Sequence, residues 1–272
     1  MAQRLMSLSI VVLWLVCATA SSVHAAESKL VVVPTARGAQ QGFLLITPAK
    51  PVAAVILFAG GHGALGLRDA SSMQWGDGNF LVRSRDKFAA RNMMVAVVDA
   101  PSDQPKGMNA LFRMGGAHAG DISAVAGFLK KQAKLPVWLV GTSMGTFSAA
   151  GGAIAARDVD GLVLTSTITR SKRDWKIRDS HPDGVASMAV DRITVPTLIV
   201  SHRNDRCDIT PAADAEKLRR SLRSVRSSEI VVLDGGVPPQ SEPCEAKSQH
   251  GFFGIEDKAV HAIAQFITAS RD

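Results

Sequence analysis

The sequence predicts an α/β domain with a mostly parallel central sheet that helices cover on both faces. Short, continuously apolar segments such as residues 52–58 and 93–98 recur along the chain. Such segments are typical of strands that are buried on both faces of a parallel sheet. Segments with helical spacing, such as residues 118–133, alternate with them. No repeat and no linker rich in glycine, serine or proline interrupts the alternation, which indicates one domain over residues 26–272.

The order of the elements follows from the local patterns. Residues 30–34 and 42–47 flank a polar, glycine-containing turn and predict an opening hairpin. The other strands are predicted at residues 52–58, 93–98, 137–140, 161–165, 197–201 and 230–233. Helices are predicted at residues 80–91, 118–133, 144–157 and 255–269, with one more that begins at Thr210-Pro211. Threonine before proline favours a helix start, because the hydroxyl can cap and proline suits the first helical position.

The first 25 residues have the pattern of a secretory signal peptide. Arg4 precedes an apolar stretch at residues 8–20, and the small-residue region that follows predicts cleavage after Ala25. An uncleaved membrane anchor is one alternative, although the stretch is short for a full span. Lipid attachment at Cys17 is a second. We therefore expect an exported protein, periplasmic or secreted, with no stable membrane insertion after cleavage.

Charge and cysteine content limit the classes of function. The 272-residue chain carries a formal net charge of +7. Its basic residues are scattered and accompany no nucleic-acid motif or aromatic array, so we expect no nucleic-acid partner. After removal of the signal, Cys207 and Cys244 are an even pair in an oxidising compartment, which predicts a disulfide between them. Two free thiols remain the alternative.

A serine flanked by glycines is the strongest chemical motif in the chain. The segment Gly141-Thr142-Ser143-Met144-Gly145 follows an apolar strand and precedes a helix-forming segment of small residues. In that setting G-x-S-x-G forms a sharp turn that lifts the serine hydroxyl above the sheet. The two glycines remove Cβ atoms that would collide with the neighbouring strand and helix. Ser143 is therefore the candidate nucleophile.

Four motifs follow one another along the chain. They are Ala59-Gly60-Gly61-His62-Gly63, the serine motif at residues 141–145, the segment 196–205, and His250-Gly251-Phe252. With these motifs the chain resembles the α/β-hydrolase fold superfamily from about residue 29 to residue 270, and the order serine, aspartate, histidine is similar to that of the superfamily. The resemblance implies the α/β-hydrolase fold. Residues 166–192 are too few for a full lid domain, so we expect a minimal lid.

The acid of such a site is predicted at Asp205. This residue follows an apolar strand and precedes a capped helix, where its carboxylate could accept the Nδ1–H of a histidine and stabilise the imidazolium. Asp208 is the nearest alternative, and Asp99 and Asp234 also lie at strand ends. A purely turn-forming role for Asp205 remains open.

The general base is predicted at His250, in the polar loop between the last strand and the last helix. It would take the proton from Ser143 and pass it to the leaving group. The alternatives are His202, His118 and His62.

An oxyanion hole is expected from the backbone N–H groups of Met144 and Gly61, with His62 as the alternative to Gly61. No Gly-Lys-Ser/Thr follows the glycine-rich turn, which argues against a phosphate loop. No group of histidines and carboxylates has recognisable metal-ligand spacing, so we expect no metal and no other cofactor.

These residues predict a serine hydrolase that cleaves a small-molecule ester, or a thioester or amide, through an acyl-enzyme on Ser143. An ester is favoured as the substrate because its leaving group needs the least assistance from the residues of the site. A peptidase or acyltransferase with the same residues, and a catalytically silent binding protein of the same fold, are the alternatives. Arg170, Lys172 and Arg173 suggest an anionic acyl group.

Overall fold

An eight-stranded sheet forms the centre of the fold. The computed structural model describes residues 26–270, so the predicted signal peptide of residues 1–25 lies outside the described residues. The strands are β1 (Glu27–Pro34), β2 (Gln40–Thr47), β3 (Ala53–Phe58), β4 (Met93–Val98), β5 (Val137–Ser143), β6 (Gly161–Thr167), β7 (Thr197–His202) and β8 (Ser228–Leu233). Their order across the sheet is β1-β2-β4-β3-β5-β6-β7-β8. Only the pairs β1–β2 and β2–β4 of this described sheet are antiparallel.

Helices cover both faces of this sheet. They are α1 (Phe80–Arg83), α2 (Arg85–Ala89), α3 (Ala110–Met114), α4 (Gly116–Ala133), α5 (Gly145–Ala155), α6 (Ala215–Ser221) and α7 (Glu256–Ala269). Side chains of α3 to α6 share one hydrophobic cluster with the sheet, and side chains of α1, α2 and α7 share another. The predicted fold class, a mostly parallel sheet with helices on both faces, is confirmed.

The period of two along a strand explains how one strand serves both clusters. β3 is buried along its whole length. Ile56 packs in the cluster of α3 to α6, whereas Val55 and Leu57 pack in the cluster of α1, α2 and α7. Full burial of one such side chain stabilises the fold by about 1.5–3 kcal/mol, so alanine at position 56 would cost about 2–5 kcal/mol.

Three helices differ from the sequence-based expectation. The helix predicted at residues 80–91 is two short helices, because Ser84 at their junction has φ −96° and ψ 1°. The patterns did not predict α3, which Asn109 caps by accepting the Phe112 N–H at 2.9 Å. The helix expected to begin at Thr210-Pro211 begins at Ala215, after a 3-10 turn at Ala212–Asp214.

The loops that follow β3, β5 and β7 leave the sheet at one edge, because these strands run parallel. Gly61 and Asp205 lie in the loops after β3 and β7, and Ser143 is the last residue of β5. The connection between β6 and β7 holds two 3-10 turns, Gly184–Ser187 and Val190–Arg192, which agrees with a minimal lid. Within residues 26–270 no helix is both long and apolar enough to cross a bilayer.

Candidate active site

Ser143 ends β5 in a strained backbone conformation. Its φ of +52° lies in the left-handed region, which residues other than glycine rarely adopt. A Cβ on Gly141 would lie 2.4 Å from the carbonyl oxygen of Gly145, and a Cβ on Gly145 would lie 2.1 Å from that of Phe58. Neither position can therefore accept a side chain. This geometry matches the strand, turn and helix predicted for the serine motif.

His250 and Asp205 form a buried pair. Nδ1 of His250 lies 3.0 Å from Oδ2 of Asp205, and their side chains are 5% and 1% exposed. The same carboxylate accepts the backbone N–H of Cys207 and the hydroxyl of Thr210, each at 2.9 Å. These donors fix the carboxylate beside the ring. A carboxylate at this position can accept an Nδ1–H, and in that tautomer Nε2 is the ring nitrogen that accepts a proton.

The loop that carries His250 is attached to the rest of the domain by its backbone. The carbonyl of His250 accepts the Ser166 hydroxyl at 2.6 Å. Arg83 donates to the carbonyl of Gly251 at 2.6 Å and to that of Ala246 at 3.2 Å. The same guanidinium pairs with Glu256 at 2.9 Å. These bonds restrain the ring of His250 from its backbone side.

Ser143 and His250 line one cavity of about 350 Å³, with Gly61, Trp75 and Asn79 among the other wall residues. This volume is at the small end of the range for ligand pockets. Within residues 26–270 no hydrogen bond joins the Ser143 side chain to His250. Catalytic hydrogen bonds are often long before substrate binds. Ser143 and His250 therefore line the same cavity, and the hydrogen bond between them is expected to form when substrate binds.

Of the two predicted oxyanion donors, Met144 follows Ser143 in the chain and Gly61 lines the same cavity as Ser143. Met144 directly precedes the first residue of α5, and N–H groups at a helix N-terminus lack intrahelical acceptors. Gly61 lines the cavity with a φ of +58°, and a Cβ there would lie 2.8 Å from the Trp75 ring. The alternative, His62, stacks on Trp75 and accepts the N–H of Ala64 through Nδ1 at 3.1 Å.

Arg113 supports the Gly61 turn from the protein interior. Its side chain is 1% exposed, and burial lowers its pKa to about 10. The guanidinium donates to the carbonyls of Gly61 and Met108 and to the Ser148 hydroxyl. None of its partners among the described residues is a carboxylate. Burial of an unpaired charge is costly, so these neutral acceptors are its main compensation. A Cβ on Gly63 would lie 2.3 Å from Nη2, which shows how closely the turn follows this side chain.

The other candidate histidines lie in structural settings. His118 is fully buried between Phe58 and Phe112, and neither ring nitrogen has a partner in the described residues. Burial, together with the nearby Arg113 charge, lowers the pKa of His118 to about 3. His202 contacts the Gly235 carbonyl through Nε2 and accepts an N–H through Nδ1. Neither histidine lines the cavity of Ser143.

The other candidate carboxylates also have different surroundings. Asp99 accepts the N–H groups of Leu65 at 2.6 Å and Leu67 at 2.8 Å, which fixes the loop after β3. Asp234 is 65% exposed, and Arg203 lies 3.9 Å away. Asp208 is exposed beside the sulfur of Cys244. The geometry therefore favours Asp205 as the partner of His250.

A disulfide joins Cys207 to Cys244, the pair that the sequence predicts. Cys207 follows Asp205 by two residues, and Cys244 lines the cavity beside the His250 loop. The bond therefore connects the loop of the acid to the loop of the histidine. With Asp208 the two sulfurs form the one group in residues 26–270 with metal-ligand spacing. The sulfurs are bonded to each other, so this group offers no thiolate.

The three basic residues behind the suggestion of an anionic acyl group do not line the cavity of Ser143. Arg170 pairs with Asp214 at 2.8 Å, and neither Lys172 nor Arg173 lines the cavity. Besides His250, the one ionisable wall residue is Glu245, whose carboxylate has no ion-pair partner in the described part of the chain. The suggestion of an anionic acyl group stays a prediction, because Lys176 of the same basic segment lines a second cavity together with Met144, the residue after Ser143.

Sequence reasoning missed four residues that shape the site: Asn79, Arg83, Arg113 and Thr210. Arg83 and Arg113 contact carbonyls that are 168 and 52 residues away along the chain, which no local pattern reveals. Thr210 was expected to cap a helix, and Asn79 precedes the helix predicted from residue 80. For Asn79 and Thr210 the one available signal is therefore a residue that can cap a helix at the predicted start of a helix.

Comparison with known proteins identifies the fold. No family model and no curated protein sequence matches the chain. Solved structures do match: an esterase of Pyrococcus furiosus aligns with a TM-score of 0.63 and 14% identity over 91% of this chain and 92% of its own. A dienelactone hydrolase from Anabaena variabilis aligns at 0.56 and 15% identity over 91% and 97%. A puromycin-hydrolyzing peptidase of Mycobacterium tuberculosis aligns at 0.63 and 12% identity over 92% of this chain but 40% of its own. The chain has the α/β-hydrolase fold.

Proposed function

We propose that this protein is a serine hydrolase that cleaves a small carboxylic ester, with Ser143 as nucleophile, His250 as general base and Asp205 as orienting acid. The observation that carries the proposal is the buried His250–Asp205 pair, 3.0 Å apart, whose histidine lines the same cavity as Ser143 in its strained backbone conformation. Esterases among the structural neighbours give further support. The small cavity favours a short acyl or alcohol group.

The proposed reaction begins with attack of Ser143 Oγ on the carbonyl carbon while His250 Nε2 takes the hydroxyl proton. The carbonyl electron pair moves onto oxygen, where the N–H groups of Met144 and Gly61 stabilise the charge. The pair then returns and breaks the ester bond, and the alcohol leaves with the proton from His250. Water then attacks the carbonyl carbon of the acyl-enzyme while His250 takes its proton. The bond to Ser143 Oγ breaks, the carboxylic acid leaves, and His250 returns the proton to Ser143. Throughout, Asp205 stabilises the imidazolium.

A peptidase is the second candidate function, because a puromycin-hydrolyzing peptidase is among the structural neighbours. An acyltransferase would use the same acyl-enzyme with an acceptor other than water. A catalytically silent binding protein is disfavoured by the spacing of His250 and Asp205, since binding alone does not require it.

The test combines covalent labelling with two substrate panels. A fluorophosphonate probe should label wild-type protein on Ser143, and p-nitrophenyl esters should be hydrolysed faster than aminoacyl anilides. Ser143→Ala should keep its fold by circular dichroism and lose turnover by several orders of magnitude. Ser224→Ala, an exposed serine, is the matched control. An unlabelled, inactive wild-type protein would exclude the hydrolase, and faster anilide cleavage would favour the peptidase.

We also propose that the chain is exported and cleaved after Ala25. The disulfide supports an oxidising compartment. N-terminal sequencing of mature protein from a periplasmic or culture fraction should begin at Ala26. Retention of the first 25 residues in a membrane fraction would contradict the proposal.

A further inference from the structure

The side chain of Asn79 is fixed at the cavity wall by one of its two polar atoms. Asn79 is the N-cap of α1, and its side-chain oxygen accepts the backbone N–H of Leu81 at 3.3 Å. Because a backbone N–H can only donate, its partner must be the amide oxygen rather than the nitrogen. The cap therefore decides the orientation of the amide. Its Nδ2 group faces away from α1.

The Nδ2 group lies next to the nucleophile. The position that a Cβ of Gly60 would occupy is 3.0 Å from Ser143 Cβ and 3.3 Å from Asn79 Nδ2. Both groups thus border the same small space, which stays open because residue 60 is glycine. Asn79, Gly60 and Ser143 all line the cavity. Among residues 26–270 no acceptor is recorded for Nδ2.

We propose that Asn79 is a further catalytic residue, whose Nδ2–H donates a hydrogen bond to the substrate carbonyl oxygen as it becomes negatively charged. This inference rests on the proposed serine hydrolase and adds a side-chain donor to the backbone donors of Met144 and Gly61. A donor fixed before substrate arrives stabilises the developing charge without reorganisation, and removal of one such donor typically costs about 10²–10³ in kcat.

The same contacts explain why asparagine suits this position. Asp and Ser also cap helices well, but a carboxylate offers no N–H, and a serine hydroxyl is too short to reach past the cap. The amide combines a cap acceptor with a donor on its opposite side. Replacement by Asp or Ser therefore removes the proposed donor while it keeps the cap of α1.

The experiment uses Asn79→Asp and Asn79→Ser, assayed with p-nitrophenyl acetate. For both variants kcat should fall by about 10²–10³, with a much smaller change in KM. The loss in kcat/KM should be matched by weaker inhibition by a trifluoromethyl ketone, which forms an oxyanion on Ser143. If Asn79 only supported the local structure, the loss in kcat/KM and the loss in inhibitor affinity would not be proportional. Asn109→Asp, at the cap of α3, is the control and should keep wild-type kinetics.

The outcomes separate this inference from the proposed function. If both Asn79 variants melt like the wild type and keep near-normal kcat, the inference is wrong while the serine hydrolase stands. If Asn79→Asp alone is slow, charge repulsion explains the result and the donor role is refuted. If the wild type neither hydrolyses esters nor labels with a fluorophosphonate, both proposals fail together.

Discussion

Asp205 and His250 are 45 residues apart in the chain, yet their carboxylate and imidazole lie 3.0 Å apart in a setting almost closed to water. The contact depends on two loops, one after β7 and one after β8. Asp208, three residues from Asp205, lies outside this contact. The two aspartates therefore provide a direct comparison between a carboxylate that faces the histidine and a near neighbour that does not.

Asp205→Asn should lower kcat strongly, because the amide cannot stabilise the imidazolium and can favour the wrong histidine tautomer; a loss of about 10⁴ is known for such a change in a serine triad. Asp208→Asn should leave kcat near the wild-type value. The measurement is steady-state hydrolysis of one p-nitrophenyl ester by both variants. The acid is misassigned if Asp208→Asn abolishes turnover while Asp205→Asn is nearly silent.

Loss of the disulfide should affect stability and activity together. The double variant Cys207→Ala/Cys244→Ala removes a cross-link between residues 37 apart. The chain-entropy model gives a loss of about 4 kcal/mol in the free energy of unfolding, as an upper value. Urea unfolding measures this loss, and kcat should fall because the loops of Asp205 and His250 are no longer tethered. Peptide mapping of native exported protein should find the two cysteine peptides joined; two alkylatable thiols would contradict the bond.

Replacement of the buried Arg113 should disturb the turn that carries Gly61. Arg113→Met keeps length but removes every donor, and an unsatisfied buried carbonyl costs about 1–3 kcal/mol. We expect a lower free energy of unfolding by urea and a lower kcat with little change in KM. Arg203→Met removes an arginine that is 64% exposed and should change neither. Wild-type kcat in a folded Arg113→Met protein would show that the guanidinium does not position Gly61.

His118 should make the domain sensitive to acid. Its pKa is lowered from 6.5 to about 3 in the folded protein, so the unfolded chain binds one more proton between these pH values. His118 therefore does not lower the free energy of unfolding well above pH 6.5. Below pH 6.5 the free energy of unfolding falls as the pH falls, and His118 accounts for up to about 1.4 kcal/mol of this loss per pH unit. Urea unfolding from pH 7 to pH 4.5 should show a shallower loss for His118→Phe than for wild type. His261→Gln, at an exposed histidine, should follow the wild type.

The sequence predicts the parts of this fold that depend on local rules. Apolar strands such as β3 and β4 can be predicted from the sequence, because a strand inside a parallel sheet is buried on both faces and is apolar along its whole length. The turn at Ser143 can be predicted from the sequence, because only glycine fits at residues 141 and 145. Asp205 and His250 could be proposed as acid and base because both follow strand ends, and of the candidate aspartates Asp205 is the one that lies beside His250.

Long-range contacts account for what the sequence does not reveal. Thr210 has the local pattern of a helix cap, but its hydroxyl lies 3.1 Å from Nδ1 of His250, 40 residues away, and the helix begins later. Here a tertiary contact overrides local propensity. Asn79 does act as a cap, and the pattern still gives no sign that its other polar atom borders the Ser143 cavity. For both Thr210 and Asn79, the role depends on residues that are close in the fold but distant in the sequence.

The connection between β6 and β7 contains no α-helix in the part of the chain described. If the proposed hydrolase is right, a substrate would reach Ser143 without displacing a helix of this connection, and turnover would not wait for such a helix to move. For a long-chain ester, the rate should depend on the concentration of dissolved monomer and saturate smoothly. It should show no sudden rise when the ester begins to form micelles.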